Sequence, residues 1–277
     1  AAHMARRASE FGVGIGGSVT VDMARVKARK DEISGQSRSG VEAGLRRTEN
    51  CTVYQGHARF VSPRVVTVGT DRLTAERIFI NVGGRALIPD LPGLADVPIL
   101  TNSSMMAVDF VPEHLVVVGG SYIGVEFGQM FRRVGSRVAI VEMGDRLIRR
   151  EDEDVSAAVL DILQKEGIEI RLNATCISLS RQGTNVVARV DAEAGSPDVT
   201  GTHLLLAVGR RPNTDDLGLE HAGVNVDARG YIEVDDELRT SAPGIWALGD
   251  CNGRGAFTHT SFNDAEIVVA NLLENDS

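Results

Sequence analysis

One stretch constrains this chain more than any other. Leu115-Val116-Val117-Val118 is a short apolar run of the kind a strand buried on both faces needs. Gly119-Gly120-Ser121-Tyr122-Ile123-Gly124 follows at once, and then Val125, Phe127, Met130, Phe131 and Val134 recur at helical spacing. Gly135 stops the helix, and Val138 to Val141 is a second apolar run that ends on Glu142. Strand, glycine turn, helix, strand and acid make a βαβ unit of the dinucleotide-binding kind. Gly119 permits the tight turn, Gly124 lets the helix lie close to the strand, and the helix N-terminus offers unpaired N–H groups to a pyrophosphate. Ser121 stands where the pattern has its middle glycine; it is small enough for close backbone approach, and its hydroxyl can donate to phosphate. Glu142 falls where an acid accepts from the adenosine ribose, about 20 residues on.

The chain has 277 residues, room for two ordinary domains. A formal net charge of -9 argues against nucleic acid or an anionic membrane surface as partner. No apolar run reaches the length of a membrane span, and no signal peptide is visible. Cys51, Cys176 and Cys251 are far apart and odd in number, so they predict neither a disulfide framework nor a metal site, and a reducing cytoplasm is expected. The first and last residues both fall inside helical patterns, which reads as a piece cut from a longer protein.

In chain order, a short helix closes near Gly12, and the loop with Gly14-Ile15-Gly16-Gly17 reads as a connector because no strand precedes it. Asp22 is placed to cap a polar helix running to about Glu49. Its interleaved charges point to a solvated face and not to a nucleic-acid arm. From Thr52 the period is two: Val53-Tyr54, His57–Val61 and Val65–Val68 predict a small antiparallel sheet. Arg77–Val82 predicts a buried strand, and the Pro89–Pro98 stretch a linker. After Glu142 the pattern predicts a helix over 154–165 and strands over 168–172, 175–180, 186–190 and 203–208. Ile245–Leu248 predicts one more buried strand before a helix that starts near Thr258.

Three further stretches join the βαβ unit: Asn81-Val82-Gly83-Gly84-Arg85, Gly209-Arg210-Arg211-Pro212-Asn213, and Thr240-Ser241-Ala242-Pro243-Gly244-Ile245-Trp246-Ala247-Leu248-Gly249-Asp250. With them the chain resembles the flavin-dependent pyridine nucleotide-disulfide oxidoreductases, which include glutathione reductase, lipoamide dehydrogenase and mercuric reductase. The early residues, Ala2-His3, Arg6-Arg7 and Cys51–Phe60, look most like the mercuric reductase branch. The resemblance implies an α/β fold of two nested, three-layer dinucleotide-binding domains of Rossmann type. An incomplete FAD domain would span 1–100 and 210–277, with an NAD(P) domain over 101–209 inserted into it.

The resemblance also assigns residues. Asp250 would hold the flavin's ribityl chain, and the helix at Phe257 and Thr258 would face the flavin's pyrimidine edge. His57 and Ala58 would touch the adenine. Gly83 and Gly209 would mark the crossovers between domains, with Arg210 following the second. Tyr122 and Ile123 would pack near the nicotinamide, and Glu126 would hold its carboxamide end. Glu142, followed by uncharged Met143 where NADPH-using relatives carry an arginine, implies NAD(H) preferred over NADP(H), tempered by Arg146 and Arg149. The first FAD glycine motif, the redox cysteine pair and the dimerisation domain of such enzymes are not found in this chain. The chain is therefore expected to be inactive alone, with its parent a homodimer acting on a small molecule or a metal ion. A non-enzymatic nucleotide-binding or interaction module of the same fold is the competing expectation.

Overall fold

In the computed structural model, which describes residues 1–192 and 196–274, His114–Val118 is the central strand of a five-stranded parallel sheet. Arg137–Val141 and then Glu169–Arg171 lie to one side, His203–Leu206 and then Ile99–Leu100 to the other. Alternate residues of a strand face opposite ways, and here each face meets a different cover. Leu115, Val117, Ile140 and Leu205 pack with Phe131 of helix Tyr122–Val134 and Leu163 of helix Glu153–Lys165. Val116, Val118, Ala139 and Leu204 pack with Leu179, Ala188 and Val199. Those last three belong to an antiparallel sheet of Ala174–Gln182, Asn185–Ala192 and Asp198–Gly201. The unit is thus three layers deep, which is why its central strand reads as an unbroken apolar run. Each fully buried Val or Leu contributes about 1.5–3 kcal/mol relative to an exposed one.

The second unit repeats the plan on a smaller central sheet. Ile78–Ile80 pairs in parallel with Ile245–Ala247. Ile80, Ile245 and Ala247 pack with Phe60, Leu217 and Ile232 on one side, and Trp246 and Leu248 with Leu238 and Val268 on the other. Phe60 comes from an antiparallel sheet of Ala58–Ser62, Val65–Val68 and Asp71–Thr74, and Val268 from helix Thr258–Val269.

The boundaries differ from those read in the sequence. The units are 1–40 with 86–209, and 41–85 with 210–277. Residues 1–40 and 86–100, expected in the FAD-binding domain, group with the first unit because of what they bury and bond. Met23 is buried in the core under the two helices. Arg6 donates to the carbonyls of Arg133 and Val134, the exposed C-terminal acceptors of helix Tyr122–Val134. Leu91, Leu94 and Val97 pack into the opposite core, and Ile99–Leu100 is the sheet's edge strand.

Local differences have similar causes. The polar helix is Met23–Arg47, and Asp22 caps it by accepting from the Arg25 N–H at 3.0 Å. Val53 and Tyr54 lie outside any strand, whereas Asp71–Thr74 and Asp198–Gly201, both polar in sequence, pair as the third members of their sheets. Their strand state comes from a ladder partner and not from their own apolar pattern. Among the described residues no helix is long and apolar enough to cross a membrane.

Candidate functional site

The glycine turn is built as the spacing requires. Gly119 has φ +111°, and a Cβ there would lie 2.3 Å from the Ala207 carbonyl oxygen. A Cβ on Gly124 would lie 1.9 Å from the Gly119 oxygen, so only hydrogen fits between helix and strand. Ser121 is the exposed N-cap, and its side chain makes no capping bond. The first-turn N–H groups of a 13-residue helix therefore keep their affinity for an anion.

Glu142 does not simply end its strand. Its Oε2 accepts from the Gly120 N–H at 2.6 Å and its Oε1 from the Gly144 N–H at 2.7 Å. The acid is thereby drawn onto the glycine turn itself. Sequence reasoning missed both donors. A Cβ on Gly120 would stand 2.9 Å from Glu142 Cβ and 2.6 Å from Leu147 Cδ2, and one on Gly144 2.5 Å from Arg149 Cδ. The signal was there in the doubled glycine at 119–120 and in the glycine two residues after the acid.

The following loop folds back over this turn. The Ile148 N–H donates to the Gly120 oxygen at 3.0 Å. Ile148 is buried and has φ +41°, a left-handed conformation that costs a β-branched residue about 1–3 kcal/mol. Tyr122 donates its phenolic proton to Glu151, and that bond raises the phenol's pKa. Ile123 is half-buried; Glu126 is exposed, and its side chain makes no hydrogen bond among the described residues. Met143 is 70% exposed. Arg146 pairs with Glu153 at 2.8 Å and Arg149 with Asp145 at 3.5 Å, so both arginines are already engaged. Gly209, φ +137°, accepts at its carbonyl from the Leu87 N–H at 3.0 Å.

In the second unit the motifs are knitted to each other. The Arg210 guanidinium donates to the Gly84 oxygen at 2.5 Å and to Asp250 at 3.2 Å. The Asn213 N–H donates to the Gly83 oxygen at 3.0 Å and its side chain to the Val82 oxygen at 2.9 Å. Gly83 itself holds φ +67°. Asp250 is half-buried in the tight turn Gly249–Asn252 that follows strand Ile245–Ala247. This is the carboxyl end of a parallel strand, where ligands of α/β folds bind. Phe257 is the N-cap of helix Thr258–Val269, makes no side-chain capping bond and stacks on His259 with centroids 5.3 Å apart; Thr258 is exposed. His57 and Ala58 are exposed and are not part of the Asp250 group: His57 Nε2 faces Asp216 Oδ2 at 3.4 Å, and Ala58 opens a strand opposite Val68.

All three cysteines are free. Burial pushes the Cys176 and Cys251 thiols up, away from the reactive thiolate. Among the described residues no three His, Cys, Asp or Glu side chains are grouped to hold a metal ion.

Known proteins resemble this chain in sequence and fold. The chain is 36% identical over 257 residues to RclA of Escherichia coli, a probable pyridine nucleotide-disulfide oxidoreductase, covering 91% of this chain and 57% of that one. The solved structure of RclA, described as an HOCl-induced flavoprotein disulfide reductase, superposes with a TM-score of 0.85 at 35% identity, over 91% of this chain and 58% of that one. Mercuric reductase of Streptomyces lividans is 33% identical over 279 residues, covering 99% of this chain and 59% of its own. Dihydrolipoyl dehydrogenase of Acholeplasma laidlawii is 31% identical over 273 residues, covering 97% and 79%. The chain thus spans somewhat over half the length of RclA and of that mercuric reductase. The sequence profile described as pyridine nucleotide-disulphide oxidoreductase matches residues 4–265, and the chain belongs to that family.

Proposed function

We propose that this chain is the nucleotide-handling part of an FAD-dependent NAD(P)H oxidoreductase of the disulfide reductase type, with NADH preferred to NADPH. The observation that carries the reading is the Glu142 carboxylate, held on the glycine turn by two backbone N–H groups. Each carboxylate oxygen takes one N–H and keeps a second acceptor site. Two oxygens so placed suit the two hydroxyls of an unphosphorylated adenosine ribose. A 2′-phosphate would face a fixed negative charge. Met143 brings no cation, and Arg146 and Arg149 are already paired.

The residues present also fit the flavin. Asp250, steadied by Arg210, offers a charged acceptor to a polyol chain, and the uncapped end of helix Thr258–Val269 stabilises negative charge on an electron-rich ring. When bound, the two cofactors supply hydride transfer from nicotinamide to flavin. This chain's part is to bind and orient them. Tyr122, at the first position of the nucleotide helix and held by Glu151, would cover the nicotinamide. Three free thiols support a reducing, cytoplasmic setting.

For the electron acceptor, the likeness to mercuric reductase supports a metal ion. RclA and dihydrolipoyl dehydrogenase, at similar identity, support other acceptors to the same degree. The reading is tested on the intact parent protein, purified without added cofactor. A yellow protein with a flavin absorbance band that bleaches on anaerobic NADH, and more slowly on equimolar NADPH, is the expected result. A colourless protein that binds NADH but no FAD would favour a non-enzymatic nucleotide-binding module.

A further inference from the structure

Asp264 is a buried carboxylate with no part in the cofactor contacts described so far. It lies inside helix Thr258–Val269 and is 3% exposed. No cation pairs with it among the described residues. Its partners are two neutral donors: Oδ2 accepts from the Gly249 N–H at 2.8 Å and from Asn252 Nδ2 at 2.9 Å. Burying a carboxylate is costly unless its bonds are made, and these bonds reach the two ends of one short turn, Gly249–Asn252. Asn252 passes the constraint on, since its amide also donates to the Ala247 oxygen at 3.1 Å and its Oδ1 accepts from the Arg254 N–H at 2.9 Å.

One turn earlier on the same helix face, Ser261 accepts from Asn81 Nδ2 at 3.3 Å. Gly249 sits between them at φ +69°, where a Cβ would come within 2.8 Å of both Asn81 Oδ1 and Ser261 Oγ. The helix is therefore pinned to the residues that follow both parallel strands, Ile78–Ile80 and Ile245–Ala247. Between the two ends of the pinned turn stands Asp250.

We propose that Asp264 is a positioning residue for the flavin site: it locks the turn that carries Asp250 to the helix whose N-terminus is Thr258. A carboxylate for the ribityl chain and a helix end for the ring are then held as one block, set before the cofactor arrives. This rests on the flavin reading of Asp250.

The test titrates FAD into apoprotein prepared from the intact parent holoprotein, for wild type, Asp264→Asn, Asp264→Ala, Asp250→Ala and the Asp250→Ala with Asp264→Ala double variant, and records visible circular dichroism of the bound flavin. Asparagine keeps an oxygen that accepts both bonds, so Asp264→Asn stays within about twofold of wild type. Asp264→Ala weakens FAD about tenfold or more and changes the flavin dichroism, because both bonds to the turn are lost. Added to Asp250→Ala, Asp264→Ala brings little further loss, since the group it positions is gone. Should Asp264→Ala fail to fold, Asn252→Ser removes one of the two donors and is expected to weaken FAD measurably. Wild-type FAD affinity in Asp264→Ala or in Asn252→Ser would overturn the proposal. So would an equal loss with and without Asp250, which would make Asp264 a plain core residue. If Asp250→Ala keeps its FAD, the flavin reading of Asp250 falls first and the inference with it.

Discussion

At the residue scale, Glu142 shows what one side chain decides. Its identity and its place at a strand end are legible in the sequence; its two backbone donors are not, because both come from glycines whose roles depend on how the loop returns. Glu142→Ala with Met143→Arg removes the like charge and adds a cation. In the intact parent enzyme the pair is expected to move the NADH to NADPH ratio of kcat/KM towards NADPH by about tenfold to a hundredfold, the worth of one or two charge-assisted bonds. Steady-state kinetics at one ionic strength is the check. A wild type that already uses NADPH better would mean that Arg146 and Arg149 leave Glu153 and Asp145 to bind the phosphate. For His57 and Phe257 the roles come from the resemblance alone; their side chains lie beside Asp216 and His259.

At the element scale, the contact of helix Tyr122–Val134 with its strand separates two glycines that look alike in sequence. A methyl on Gly124 would strike the Gly119 backbone oxygen at 1.9 Å, whereas one on Gly128 would meet the end of Ile140 at 3.0 Å. Backbone cannot give way as a side-chain end can. Gly124→Ala should therefore destabilise by about 3 kcal/mol, near the upper end for overpacking, and Gly128→Ala by clearly less. Urea midpoints of the two variants are the measurement, and equal costs would mean that the helix shifts as a body. The same helix is tied at its far end: Arg133 and Gln129 both donate to Glu166, whose side chain is 14% exposed. The bond from Arg133 holds the Glu166 carboxyl below its usual range. A lowered carboxylate pKa gives stability that is whole above the unfolded value and drains away as pH falls through the folded one. Glu166→Gln is expected to cost about 1 kcal/mol at neutral pH and nothing at low pH, so that thermal melts of the two proteins converge on acidification. A constant gap would assign the loss to packing.

At the scale of the whole molecule, the thiols bear on what the chain can do. Cys51 is exposed, Cys176 half-buried and Cys251 buried, each free, and the two shielded ones have raised pKa values. The 277-residue chain with added FAD is expected to show no NADH-dependent reduction of a disulfide or of Hg(II) above background. Turnover that survives changing all three cysteines to serine would show a route to the acceptor that needs no thiol of this chain. The layered α/β plan and the dinucleotide turn were determined by sequence alone, because burial on both faces forces an apolar run and close helix–strand contact forces glycine. Tertiary structure decided the unit boundaries: nothing in the polar pattern around Arg6 and Met23 says that one caps the nucleotide helix and the other fills its core. It also decided that Asp71–Thr74 and Asp198–Gly201 are strands, and that Asp264 serves the turn before its own helix. A local pattern records which face of an element must leave water, whereas a ladder partner, a cap or a hydrogen bond from a distant turn exists only once the chain has brought those residues together.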